Sequence, residues 1–192
     1  MNPRDAGGRV VLSVRDDGPE VLAMRAAGAE LRQKLEKALK PTEDRLIILD
    51  FASVKAITNS FADELVGKLY ISLAGGTLTS GGVHLTGLDE ETREAIVVCL
   101  ERRKLIAVDA DEQSLLAAED FLQTTHDQAK RLGTFIAADL ASDLAITLPN
   151  ANNRLKRLVD AGALVRVPDP GRERGGKQYS YSIPDQNVST TN

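Results

Sequence analysis

Val21, Met24, Gly28, Leu31, Leu35 and Leu39 recur at spacings of three and four residues. That is one buried face of a helix, opening near Pro19 and stopped by Lys40-Pro41. Leu46 to Phe51 is an apolar run broken only by Asp50, which fits a strand buried on both faces. Arg9–Val14, Val54–Ile57, Val83–Leu85 and Leu105–Val108 read as further short strands. Between them, Phe61, Leu65, Leu69 and Leu73 recur at four, predicting a helix opened by Thr58-Asn59-Ser60 and stopped by Gly75-Gly76. A second helix spans Leu88 to Lys104, with Ala95, Ile96, Cys99 and Leu100 on one face. Its acidic first turn and basic last turn both complement the helix dipole. Alternating strands and helices predict a small α/β module over residues 8–108.

The pattern changes after Asp109-Ala110-Asp111, a natural boundary. Leu115, Leu116, Phe121 and Leu122 point to a helix reaching Leu132, with His126 on its polar side. A compact helix follows at Ala137–Ala145, then the turn Ile146-Thr147-Leu148 and a third helix at Asn150–Ala161, capped by Gly162. Ala163–Val167 and Gln178–Ile183 read as strands flanking a Gly/Arg loop at Pro168–Gly176. Residues 112–184 thus form a second module. The polar segment 185–192 is expected to be a disordered tail.

Composition narrows the chemistry. Of 192 residues, 42% are hydrophobic and 27% charged, which fits a globular protein and excludes a disulfide scaffold. Aromatics are 4% and Trp is absent, so the cores must be filled by Leu, Ile, Val and Ala. One cysteine and two histidines leave no thiolate metal site and little for a His-centred triad. Cys99 reads as a small buried hydrophobe, and His84 as a strand histidine with a satisfied hydrogen bond. The segment Gly75-Gly76 to Gly81-Gly82 lacks the Lys of a P-loop. No enzyme activity, metal or cofactor is expected. Met1–Gly8 is polar and Ala95–Leu100 is the longest apolar run, so neither a signal peptide nor a membrane span is expected, and the setting is a reducing cytoplasm.

The net charge of −4 argues against nucleic acid until it is divided along the chain. Residues 111–149 carry two basic and seven acidic side chains. Residues 150–178 carry seven basic (Arg154, Lys156, Arg157, Arg166, Arg172, Arg174, Lys177) and three acidic, a local net of +4. Such a cluster can meet phosphate even on an acidic chain, or be a solvated face.

The block Ser60-Phe61-Ala62-Asp63-Glu64-Leu65, behind the run Leu49 to Asn59, resembles a STAS-like domain family of unknown function, itself similar to the anti-anti-sigma STAS fold. In anti-anti-sigma factors the helix start reads Asp-Ser-Ser-Gly, and a partner kinase phosphorylates the second Ser. Ser60 falls at that position, with Thr58 in place of the Asp, Asn59 of the first Ser and Phe61 of the Gly. The resemblance implies a partner-docking or phospho-switch set of Thr58, Asn59, Ser60 and Asp63, and a histidine-kinase-like ATPase as partner. A phosphate there would meet free N–H groups and a positive dipole end, with Asp63 and Glu64 repelling it. The structural alternative makes Ser60 an N-cap and Asp63 its capping-box partner.

The order helix, link, helix, tight turn, helix, strand, basic loop, strand resembles bacterial winged helix-turn-helix regulators. The fold class expected is therefore a small STAS-like α/β module followed by a winged helix. That likeness implies a homodimer on double-stranded DNA. Asn150, Asn152, Asn153, Arg154, Lys156 and Arg157 are then the outward side chains of the third helix, suited to adenine and guanine edges. Arg172, Arg174 and Lys177 would form the wing, and Thr134 and Thr147 could donate to phosphate. Two readings follow: a DNA-binding regulator governed by a STAS-like module, or an interaction protein that binds no DNA and docks on an ATPase.

Overall fold

A computed structural model of the chain describes residues 4–6, 9–15, 20–39, 46–75, 82–168 and 178–184. Its main sheet is mixed, with strands β1 (Arg4–Ala6), β2 (Arg9–Ser13), β4 (Leu46–Asp50), β6 (Val83–Thr86), β7 (Ala107–Asp109) and β8 (Ser114–Leu116) in that spatial order. β2, β4, β6 and β7 run parallel; the hairpins at each edge are antiparallel. A ribbon of β3 (Val21–Leu22) and β5 (Ala56–Ile57) pairs in parallel beside it.

The parallel strands step across the sheet in sequence order. Right-handed crossovers then place every connecting helix on the same face. These helices are α1 (Arg25–Leu39), the continuous segment α2 (Asn59–Ala62), a π turn (Asp63–Gly67) and α3 (Lys68–Ala74), and α4 (Glu90–Arg103). The strand side chains facing them form one core: Val10, Leu12, Ile47, Leu49, Val83, Leu85, Ala107 and Leu116 meet Leu35, Phe61, Leu65, Leu69, Ile96 and Leu100.

One-sided crossovers leave the other face of the sheet to be covered by something else. The alternation of β-strand side chains sends Val108 and Leu115, with Ile106 before β7, to that face. There they join a second core with α5 (Asp120–Leu132), α6 (Ala137–Asp143) and α7 (Leu148–Asp160). A small antiparallel sheet in the order β10 (Val165–Pro168), β11 (Tyr179–Ser182), β9 (Phe135–Ile136) completes that unit. Burial of Ile106, Val108 and Leu115 contributes about 2 kcal/mol each. The backbones also meet directly. A Cβ on Gly162 (φ +70°) would lie 2.8 Å from Gly82 Cα, and His84 Nε2 donates to Gly162 O at 2.9 Å.

Several elements differ from the sequence pattern, for tertiary reasons. The first helix starts at Arg25, not near Pro19, because Val21–Leu22 are held extended: Lys55 N donates to Glu20 O and Thr58 N to Leu22 O. Met24 and Val21 are consequently exposed, and the buried stripe begins at Gly28. Leu115 and Leu116 are strand residues, so the hairpin of β7 and β8 spans the expected boundary at 109–111 and the sheet runs on to Leu116. Asp109, fully buried, accepts from the amides of Asp111 and Glu112 and pairs with Arg93, which closes that turn. His126 is buried, not on the polar side of its helix, while Phe121 of the same helix is exposed. The third helix starts at Leu148 with Thr147 as N-cap, and the final strands are Val165–Pro168 and Tyr179–Ser182. The tail 185–192 lies outside the described residues, as do the turn at 16–19, the Lys40-Pro41 stop and the Gly/Ser/Thr loop at 76–81.

Candidate functional site

Two regions carry the residues singled out by sequence. The first is the start of α2. Its N-cap is Thr58, not Ser60: Thr58 has an extended backbone (φ −80°, ψ 151°) and its Oγ1 accepts from Phe61 N at 3.3 Å. The same hydroxyl donates to Ala23 O at 2.9 Å. Its single proton is thereby committed, so the 3.1 Å contact with Ser60 is donated by Ser60 Oγ. Thr58 and Asn59 are exposed and Ser60 is half-buried.

Asp63 is not a capping partner of this helix start. Its Oδ1 accepts from Arg103 Nε at 2.6 Å and its Oδ2 from Arg103 Nη2 at 2.9 Å, a bidentate pair reaching α4. The Arg103 bonds hold the Asp63 carboxyl below its ordinary range. The neighbouring Glu64 turns the other way, toward α1: Arg25 Nη1 donates to it at 3.3 Å, Arg32 Nη2 lies 3.6 Å away, and Lys68 Nζ donates at 2.7 Å. Lys68 is the main cause of its lowered pKa. The π turn widens the helix here; Asp63 bonds Arg103 of α4, Glu64 meets Arg32 of α1 and Lys68 of α3, and Arg25 reaches both carboxylates, at 3.7 Å from Asp63. α4 approaches closely enough that a Cβ on Gly67 would sit 2.7 Å from Cys99 Sγ. Burial, then the Asp63 charge, pushes the Cys99 thiol up to about 11. This network locks α1, α2–α3 and α4 together.

The second region is α7. Thr147 Oγ1 accepts from Asn150 N at 3.4 Å, and Pro149 occupies the first turn, where a missing N–H costs nothing. Ala151, Leu155 and Leu158 are fully buried. The polar positions divide into two stripes. Asn152, Asn153 and Lys156 are exposed and outermost. Asn150, Arg154 and Arg157 run along the side against α5. Arg154 Nε donates to Asn150 Oδ1 at 2.8 Å, and its Nη1 donates to Thr125 Oγ1 at 3.1 Å. Its guanidinium stands 5.0 Å from the Phe121 ring centroid, and that of Arg157 stands 5.6 Å away. Arg157 Nη2 donates to Glu119 Oε2 at 2.7 Å, which lowers the Glu119 pKa.

Arg154 and Arg157 are therefore half-buried and engaged, where the helix pattern had them facing solvent. Phe121, Thr125 and Glu119, which engage them, were not among the sequence candidates. They lie 29 to 38 residues away from their partners, a separation no local pattern reports. Lys156 pairs with Asp160 at 2.5 Å in an exposed i,i+4 bridge, which a competing phosphate could displace at little cost. Thr134 is exposed just before β9. The wing residues Arg172, Arg174 and Lys177 lie outside the described residues. Elsewhere, Asp50 Oδ1 accepts from the loop amide of Ala52 at 2.9 Å. Among the described residues there is no cluster of three or more His, Cys, Asp or Glu able to hold a metal ion, and no helix is long and apolar enough to cross a membrane.

The mixed sheet with helices on one face is consistent with a STAS-like domain. Residues 27–73 match the family described as a STAS-like domain of unknown function (DUF4325). The matched segment runs from α1 into α3 and contains Thr58, Asn59, Ser60 and Asp63. No curated protein and no solved structure matches the chain.

Proposed function

We propose that the chain is a two-part regulator: its C-terminal unit acts as a winged helix on double-stranded DNA, and its STAS-like part receives a signal or partner. The observation that carries this reading is the outer stripe of α7. Asn152, Asn153 and Lys156 project from a helix capped by Thr147, with no acidic side chain on the stripe before Asp160. Two amides and an ammonium suit adenine edges and a phosphate in the major groove. The order α5, β9, α6, α7, β10, β11, with β11 central in its sheet, supports the winged-helix reading. The working form is a homodimer spanning two half-sites. The reading assigns the chain no catalytic step, metal or cofactor.

The test is fluorescence anisotropy with pooled duplex DNA over about 50 to about 300 mM salt. Binding should weaken steeply with salt, and Lys156→Ala should reduce the slope by about one counterion. Asn152→Ala and Asn153→Ala should relax the sequence selected from the pool. Arg154→Ala and Arg157→Ala should act through the packing of α7 on α5. Absence of binding at the lowest salt would overturn the DNA reading.

A second reading is favoured by a separate observation. Val21 is 54% and Met24 69% exposed on the segment that Thr58 Oγ1 ties down through Ala23 O. An apolar patch beside Ser60 suits a protein partner, such as a histidine-kinase-like ATPase, with Ser60 as its phosphosite. A tight complex with such an ATPase, weakened by Met24→Asp and unaccompanied by DNA binding, would favour this reading.

A further inference from the structure

A cleft of about 140 Å³ lies where the end of α3, the turn after α4 and the last turn of α7 converge. Its floor is apolar, made of the Tyr70 ring, Leu105, Ile106 and Ala161, and Ala74 forms an exposed wall. Tyr70 turns its hydroxyl away from the cleft's chemistry by donating to Val83 O at 2.7 Å.

The charges at the rim do not cancel. Arg157 is matched by Glu119 and Asp160 by Lys156. Among the described residues Lys104 makes no side-chain hydrogen bond or ion pair, so among them its ammonium is the uncompensated charge at this rim. Three helices end at this cleft, and their last carbonyls would disfavour an anion if they were bare. Several of them are bonded: at the end of α3, Gly75 N bonds Ile71 O at 2.9 Å. Lys104 N and Leu105 N close α4, bonding Glu101 O and Leu100 O at 3.0 Å. Ala161, Gly162 and Ala163 close α7 in the same way, at 3.1, 2.9 and 2.8 Å.

We propose that this cleft binds a small monocarboxylate with an apolar body of about six carbons, the size that a 150 Å³ apolar cavity accepts. The hydrocarbon would cover the floor between Tyr70 and Ala161, and the carboxylate would sit between Lys104 and Arg157. Bound there, the ligand bridges the STAS-like helices and α7, the helix that the DNA reading depends on. The binding itself does not rest on that reading and is measured without DNA.

The experiment is calorimetric titration of the full chain with hexanoate and with benzoate, using hexanol and hexylammonium as the neutral and cationic controls. Either carboxylate should saturate one site, at least about tenfold more tightly than hexanol, and hexylammonium should not bind. Lys104→Gln should weaken carboxylate binding several-fold without changing the melting temperature. Ala74→Leu, at an exposed position, should fill the wall and abolish it. No saturation by either carboxylate up to about 20 mM, equal binding of hexylammonium, or unchanged affinity in both variants would each overturn the proposal.

Discussion

The two faces of the main sheet are packed differently. On the helix-covered face, Val10, Leu12, Ile47, Leu49, Val83, Leu85, Ala107 and Leu116 are apolar, and they share it with Ser114 and the fully buried Asp109, which pairs with Arg93 of α4. On the opposite face the row Ile48, His84, Val108, Leu115 runs across four strands and includes a buried imidazole. A second buried histidine, His126, comes down on that side from α5, and its Nδ1 has no hydrogen-bond partner. The first core buries a hydroxyl, a thiol and a carboxylate, each with a partner: Tyr70 on Val83 O, Cys99 on Asp63 and Asp109 on Arg93. The second makes its stability conditional on the His126 imidazole staying neutral, because an unpartnered buried charge is expensive. The two regions that sequence reads as separate modules are thus joined through a titratable junction.

The strongest test of that comparison removes hydrocarbon from the second core. Leu122→Ala, at a fully buried position of α5, should cost about 3 kcal/mol. Because Val108 and Leu115 belong to both the sheet and the second core, the loss should be felt in the first core as well. The thiol of Cys99, which is 2% exposed in the first core, should become reactive in the same urea transition that unfolds α5. Cys99 remaining protected after α5 has melted would show two independent units.

Next in size is the pH dependence of the junction. Burial, reinforced by Lys130 on the same helix and His84 on β6 and opposed by Asp127, lowers the His126 pKa from 6.5 to about 4. Below pH 6.5 the unfolded chain therefore binds more protons than the folded one. Stability should fall as pH drops from 6.5 to about 4, and His126 should add no further loss below that. The ceiling is about 3 kcal/mol. Urea titrations at several pH values should show this slope in the native chain and lose it in His126→Leu. An equal slope in both would assign the effect to other groups.

Asp63→Asn comes third. It breaks a bidentate pair with Arg103 whose two sides are each about a quarter exposed, and should cost about 1 kcal/mol at neutral pH. The lowered Asp63 pKa acts in the same direction as that of His126, in a more acidic window: its contribution is present above its unfolded pKa near 3.8 and lost as pH falls through the lower folded value. A melting temperature unchanged at pH 7 would refute this weighting of the pair.

The smallest effect belongs to Phe121→Ala. The ring is 42% exposed, so its removal should cost about 0.5–1 kcal/mol through two lost cation–π contacts. Freed guanidiniums should steepen the salt dependence of any DNA binding; an unaltered slope would leave Arg154 and Arg157 outside the interface even when released.

Much of the fold was legible along the chain. The run Leu46–Asp50, the stripe Phe61, Leu65, Leu69 and the capped helix at Glu90–Arg103 are local patterns, and local propensity and tertiary packing agree in them. The candidate sites were legible only as residue types. Thr58 displaced Ser60 as the cap because a hydrogen bond to Ala23, 35 residues away, fixed its hydroxyl. Arg154 and Arg157 sit at helix positions open to solvent in an isolated helix, and the ring of Phe121 on another helix claims them.

The amino-acid sequence by itself determined the main run of helices and strands and the apolar stripe of those with a strong period, because hydrophobic periodicity and turn chemistry are properties of neighbours in the chain. It also determined that the net positive charge is local to residues 150–178. Only the tertiary structure decided that one sheet serves two cores, that Leu115 and Leu116 continue that sheet rather than begin a helix, and that a lysine without a partner among the described residues stands over a cleft between α3 and α7. Those outcomes depend on contacts between residues far apart in sequence. Their energies are set by the distance and burial of partners, which the order of residues along the chain does not display.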